Sequence, residues 1–172
     1  TCIAAGTLTL DVSGFTIVFL GDGADKATIT FTTATTASMV VSAANVTLVN
    51  PRFLTGIDNL SSPITVTGAD FRIVGEAEWY DVPTKAAVHG IVASTAAARL
   101  TIDGYKYFPS TTGTQKVAHI ECAAIANPVL RNIDITGNFS GGNILMTGVN
   151  TNVIYDTIHL QNLAAAPIPG IV

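Results

Sequence analysis

Charge is the scarcest property of this 172-residue chain. Asp, Glu, Lys and Arg make up 12% of it, against about 25% in an average soluble domain. Only eight residues are Lys or Arg, and they are scattered singly in a chain of net charge −4. A nucleic-acid surface needs a basic track to neutralise phosphates, so that class of partner is excluded. No run reaches the roughly 18 apolar residues that would span a bilayer, which excludes insertion as a membrane helix. Cysteine occurs only at Cys2 and Cys122, with neither a CxxC pair nor clustered Cys and His. A disulfide framework and a zinc site therefore fall away, and the two cysteines read as small buried apolar residues. No motif calls for a cofactor. The chain lacks an initiator Met and a signal-peptide pattern, so it is expected to be a processed product or a piece of something longer.

Thr, Ala, Ser and Gly fill the gap left by charge, and apolar residues reach 48%. Within that composition one phrase recurs six times: apolar, any residue, apolar, then Gly or Asn two places on. The copies are Ile17-Val18-Phe19 with Gly21, Val46-Thr47-Leu48 with Asn50, Phe71-Arg72-Ile73 with Gly75, Leu100-Thr101-Ile102 with Gly104, Ile133-Asp134-Ile135 with Gly137, and Ile158-His159-Leu160 with Asn162. Successive anchors lie 29, 25, 29, 33 and 25 residues apart, a spacing that marks a solenoid, propeller or array. Residues two apart on a strand share a face, so the two apolar members point to one interior. Gly or Asn at the fixed offset marks a turn with positive φ.

A second series keeps pace upstream: Leu10, Val41, Val66, Val92, Ile120 and Leu145. Each repeat thus holds two strands joined by a corner. A third strand is expected after the Gly or Asn turn, at Ala27 to Phe31, Arg52-Phe53, Glu78-Trp79, Lys106-Tyr107 and Asn138-Phe139. Short strands in coils of about 25 residues around one apolar interior describe an all-β fold, a parallel β-helix of about six coils. At about 4.8 Å per coil the column stands roughly 30 Å tall. The helical domain is expected over residues 1–163, with an Ala- and Pro-rich extension over 164–172.

Periodicity and turn chemistry of this kind resemble the right-handed parallel β-helices of pectate-lyase-like proteins and of phage tailspikes and tail fibres. The resemblance covers nearly the whole chain but rests on no catalytic motif. It implies a right-handed coil, in line with the preference of parallel crossovers. It also implies a structural module of a phage-like virion: a rigid rod for assembly and host attachment, built as a homotrimer or with other virion subunits. The alternatives are a carbohydrate-active β-helix, either depolymerase or lyase, and a bacterial secreted adhesin. Those would be extracellular rather than in a virion.

The longest departure from the repeat holds Glu76, Glu78, Trp79, Tyr80 and Asp81. Exposed aromatics beside carboxylates can stack on a sugar, and paired acids serve glycoside hydrolysis, so this segment is the candidate site for a host-surface polysaccharide. The competing reading packs Trp79 and Tyr80 at a corner while the acids face water. A second insertion is expected from Tyr105 to Lys116. His89, His119 and His159 lie in different coils, with His119 and His159 read as outward-facing, and no metal site is expected. Arg72 and Asp134 stand two coils apart, which is not the clustered calcium site and base of a lyase. Thr7/Thr9, Thr28/Thr30 and Thr65/Thr67 do not repeat at one register, so an ice-binding array is rejected. In this register Val40, Ile91, Ile144 and Met146 flank the upstream anchors on the outside. They are candidate subunit-interface residues, unless the chain's own third strand or tail covers them. The bare ends of the column would expose strand edges that invite association.

Overall fold

The structure is a computed structural model that describes residues 6–32, 34–109, 116–163 and 170–172, and the backbone of 2–3. It is a right-handed parallel β-solenoid of about six turns. Two sheets wrap one interior, six strands in one and nine in the other. The first sheet takes one strand from each coil: β2 (Thr7–Leu10), β5 (Ser38–Val41), β8 (Ile64–Val66), β10 (His89–Ala93), β12 (Ala118–Ala123) and β14 (Ile144–Thr147). The larger sheet begins as separate strands. Its second-position strands are β3 (Thr16–Val18) and β6 (Thr47–Val49), and its third-position strands are β1 (Cys2–Ile3), β4 (Thr28–Phe31) and β7 (Arg52–Thr55). From the third coil onward the two positions fuse into β9 (Arg72–Asp81), β11 (Thr101–Phe108), β13 (Val129–Gly137) and β15 (Ile154–Asn162). Every pairing is parallel between successive coils.

The expected third strand exists. At the fifth coil it occupies the end of β13 rather than Asn138-Phe139. Tyr105 to Phe108 belong to β11, so the second insertion starts only at Pro109. Residues 110–115 of that insertion lie outside the described residues, as do the side chain of Cys2 and residues 164–169 of the extension.

Corner chemistry explains the coil. Between first and second strands the chain turns at Gly14, Asn45, Asp70, Arg99, Asn127 and Asn152, all with φ between 52° and 77°. Between second and third strands it turns at Asn50, Gly75, Gly104, Asn132 and Thr157, again with positive φ. Asn and Asp accept this left-handed conformation best among residues with side chains. Gly104 has a further reason: a Cβ there would lie 1.9 Å from the carbonyl oxygen of Gly75. Three of the expected turns, Asn50, Gly75 and Gly104, fall on this corner. The fifth and sixth do not, because Asn132 and Thr157 hold it. Ile135 and Leu160 accordingly stack on Tyr107, one strand later than expected. In the first coil Ile17, not Phe19, faces Leu48.

The interior is a set of side-chain ladders. Ile17, Leu48, Ile73, Ile102 and Leu130 stack from coil to coil on one. Leu10, Val41, Val66, Ala93, Cys122 and Met146 form another. Cys122 is a buried free thiol whose pKa burial pushes up to about 12. This register corrects the expected outer face. Ile64, Ile91, Ile120 and Ile144 form an inward ladder, and Ile91 and Ile144 are fully buried. Met146 also faces inward, half-covered at the end of the column. Of the four candidate interface residues only Val40 lies on the outer face.

The ends differ from the middle. Apart from Phe108, the exposed large apolar side chains among the described residues sit in the first coil, at Val12, Val18 and Leu20, or in the last, from Val149 to Val172. Residues 170–172 add to the edge of β14: Ile144 N–H donates to Gly170 O at 2.9 Å, and Val172 N–H donates to Ile144 O at 3.1 Å.

Candidate functional site

The third-position strands carry chemistry on both faces, because alternate residues of one strand point in opposite directions. The outer face aligns Arg52, Glu78, Lys106, Asp134 and His159 in successive coils. Basic and acidic residues alternate up the column. Glu78 Oε2 lies 3.6 Å from Lys26 Nζ and 3.8 Å from Arg52 Nε, and His159 Nδ1 meets Asp134 Oδ1 at 2.9 Å. Two residues on, Tyr80 and Phe108 stack at 4.5 Å with their rings 8° apart, and the Arg52 guanidinium lies 4.5 Å over the Tyr80 ring.

A groove of about 310 Å³ runs beside this ladder, along the corner formed by Gly75, Gly104 and Asn132. Glu76, Glu78 and Lys106 line it. The glycines leave it open, since side chains there would fill the recess and collide with the neighbouring coil. Asn50 Oδ1 accepts from Glu76 N–H at 2.9 Å, and Lys26 Nζ donates to the Glu76 carbonyl. Among the described residues the Glu76 carboxylate and the Lys106 ammonium have no ion-pair partner. The groove therefore offers one acidic group, one basic group and an amide to a polar ligand. Glu78 is committed to two cations.

The inner face holds the other half of the candidate segment. Trp79 is fully buried between Phe31 and Phe53, and its indole N–H donates to Thr55 Oγ1 at 2.9 Å. It packs and cannot stack on a sugar. Both faces of Tyr80 are also covered, by Arg52 and Phe108. Asp81 points inward, where its Oδ2 accepts from the Tyr107 hydroxyl and lies 3.4 Å from Lys116 Nζ. The Asp81 and Lys116 side chains are 1% and 2% exposed. His119, expected on the surface, is fully buried. Its ring stacks on Tyr107 at 4.0 Å and meets Trp79 edge-on at 5.2 Å. Its Nε2 lies 2.5 Å from the Tyr105 hydroxyl.

Burial governs the titration of this cluster. It lowers the pKa of Lys116, against the opposing pull of Asp81. It holds His119 well below its usual value, with repulsion from Lys116 adding to the effect, so the imidazole is neutral. Tyr105 and Tyr107 are raised by burial and by the Asp81 charge, and stay protonated donors. Asp81 Oδ1, Lys116 Nζ and His119 Nδ1 lack hydrogen-bond partners, a concentration that native interiors seldom tolerate.

The structure thus divides the candidate residues. Glu76 and Glu78 share the outer groove, Tyr80 closes one side of the exposed ladder, and Trp79 and Asp81 lie inside. Sequence reading missed Lys26 and Arg52 as partners of Glu78, and Lys106 as a lining residue of the groove. It also missed Lys116 and His119 as interior groups. Alignment of Phe53, Trp79 and Tyr107 across coils was the available signal, since it turns Asp81 inward two residues later. Among the described residues no three His, Cys, Asp or Glu side chains gather as a metal site. Comparison with known proteins returns no match to this chain among family models, curated proteins or solved structures.

Proposed function

We propose that the chain is a structural module of a phage-like virion, a tail fibre, tailspike or surface protein of the pectate-lyase-like β-helix type, acting as a rigid rod in assembly and host attachment. The observation that carries this reading is the outer face of the six-stranded sheet. Thr9, Val40, Thr65, Val92, Glu121 and Leu145 align there from first coil to last. One charge in six outward positions is low for a solvated sheet face, and half-buried β-branched surface of this kind suits contact with a copy of itself. In this reading three columns pack these faces around a common axis, and the apolar end coils meet adjoining protein. Light scattering of the purified chain on a size-exclusion column tests it. Three times the chain mass, reduced to one by Val92→Lys, is the expected result, and a monomer at every concentration contradicts it.

The groove supports a second reading, a site for a host-surface polysaccharide. Glu76, Lys106 and Asn132 there present acceptor and donor groups suited to an acidic or amidated sugar, and the ladder beside them prolongs the polar strip. Retention of the chain on immobilised bacterial polysaccharides, lost in Lys106→Ala, is the expected outcome for this reading. No retention by any of them removes it.

A further inference from the structure

The Asp81–Lys116 pair serves neither reading of the surface, and it is poorly satisfied as an ion pair. Each charge lies in the interior, beside Tyr107, Trp79 and His119. The carboxylate keeps one oxygen without a hydrogen bond, and the ammonium has none in good geometry. Removing two such charges from water costs several kcal/mol per ion unless the remaining lone pairs and protons are satisfied.

We propose that Lys116 and Asp81 condense to an intramolecular isopeptide bond, which ties the end of the third coil to the connection entering the fifth. Their polar atoms already stand 3.4 Å apart, with Lys116 Nζ 4.9 Å over the ring of Tyr107. Moving one proton from Lys116 Nζ to Asp81 Oδ1 turns the ion pair into the reactants, an amine and a carboxylic acid. A low-dielectric interior favours that neutral form. The nitrogen lone pair then attacks Asp81 Cγ, and the Nζ–Cγ bond forms. The Cγ–Oδ1 bond breaks, and Oδ1 leaves as water with its own proton and one from nitrogen. Nothing is oxidised or reduced, and no co-reactant is consumed. Tyr107 donates to Oδ2, the oxygen on which negative charge gathers in the tetrahedral intermediate, in the manner of an oxyanion-stabilising donor. Fixed approach in the folded core takes the place of chemical activation. The product is a neutral amide whose oxygen keeps the Tyr107 hydrogen bond, so both buried charges vanish.

This inference is independent of the proposed function. Its test is the intact mass of the full chain, measured by mass spectrometry after denaturation. The expected mass is one water below that of the sequence, and proteolysis should release a branched peptide joining Lys116 to Asp81. A mass equal to the sequence, with Lys116 and Asp81 on separate linear peptides, overturns the proposal. Asp81→Asn gives an independent reading, because the same amide then forms with loss of ammonia rather than water. Lys116→Met should retain its full mass. Tyr107→Phe keeps the ring and should leave a larger unlinked fraction.

Discussion

The two faces of the third-position strands carry similar groups under opposite conditions. Outside, Arg52, Glu78, Lys106, Asp134 and His159 form a ladder in contact with water. Inside, Asp81, Lys116 and His119 lie among Trp79, Tyr105 and Tyr107. Exposed ion pairs contribute about 0–1 kcal/mol each and are screened by salt. A buried pair contributes little net stability, yet removing one partner strands the other without solvent. The same acid-base chemistry is thus nearly dispensable on one side of a strand and indispensable on the other.

Replacing one aromatic on each face separates the two environments most widely. Trp79→Ala should cost about 3–5 kcal/mol for the lost packing, and the Thr55 hydroxyl it leaves unpaired adds to that. Phe108→Ala, on the outer stack, should cost a small fraction of it. Urea unfolding of the two variants gives the difference. Similar losses would mean that the register of β9 and β11 is wrong by one residue.

Charge removal comes next. Lys116→Ala should destabilise by about 3–5 kcal/mol because it leaves Asp81 buried and unpaired. Asp134→Asn, in the exposed part of the outer ladder, should cost less than about 1 kcal/mol. Added salt should shrink the Asp134 effect and leave the Lys116 effect unchanged, by the same unfolding measurement.

Acid supplies the smallest effect. The pKa of His119 is held well below 6.5 in the folded chain, so between those two values the unfolded chain binds more protons than the folded one. Stability from this group is complete above about 6.5 and declines as pH falls toward the depressed folded value, by up to about 1.4 kcal/mol per pH unit. His119→Gln should flatten that part of a stability-against-pH curve. A wild-type curve that rises on acidification below 6.5 would contradict the buried neutral imidazole.

Much of the column was legible in the sequence, because stacked coils repeat their corners. Leu48, Ile73 and Ile102 and the turns at Asn50, Gly75 and Gly104 fall where the phrase puts them. Register failed where two apolar residues adjoin. At Ile91-Val92 and Ile144-Leu145 the alternation fits either face, and a one-residue slip exchanges inside for outside. At the fifth and sixth coils the alternation runs on through the corner, so the third strand answers the phrase as well as the second does. The candidate segment was only half legible for a different reason. Charged residues are rarely fully buried unless paired, so Asp81, Lys116 and His119 read as surface groups. Their partners lie 14 residues away for His119 and Tyr105, 26 for Asp81 and Tyr107, and 35 for Asp81 and Lys116, and only the stacking of coils brings them together.

Native-state acetylation of lysines, followed site by site by mass spectrometry, tests this inside–outside account most directly. The account predicts rapid labelling of Lys106 on the outer ladder and complete protection of Lys116 in the folded chain, enclosed in the core as a free amine or as the amide with Asp81. Labelling of Lys116 at the Lys106 rate would contradict it.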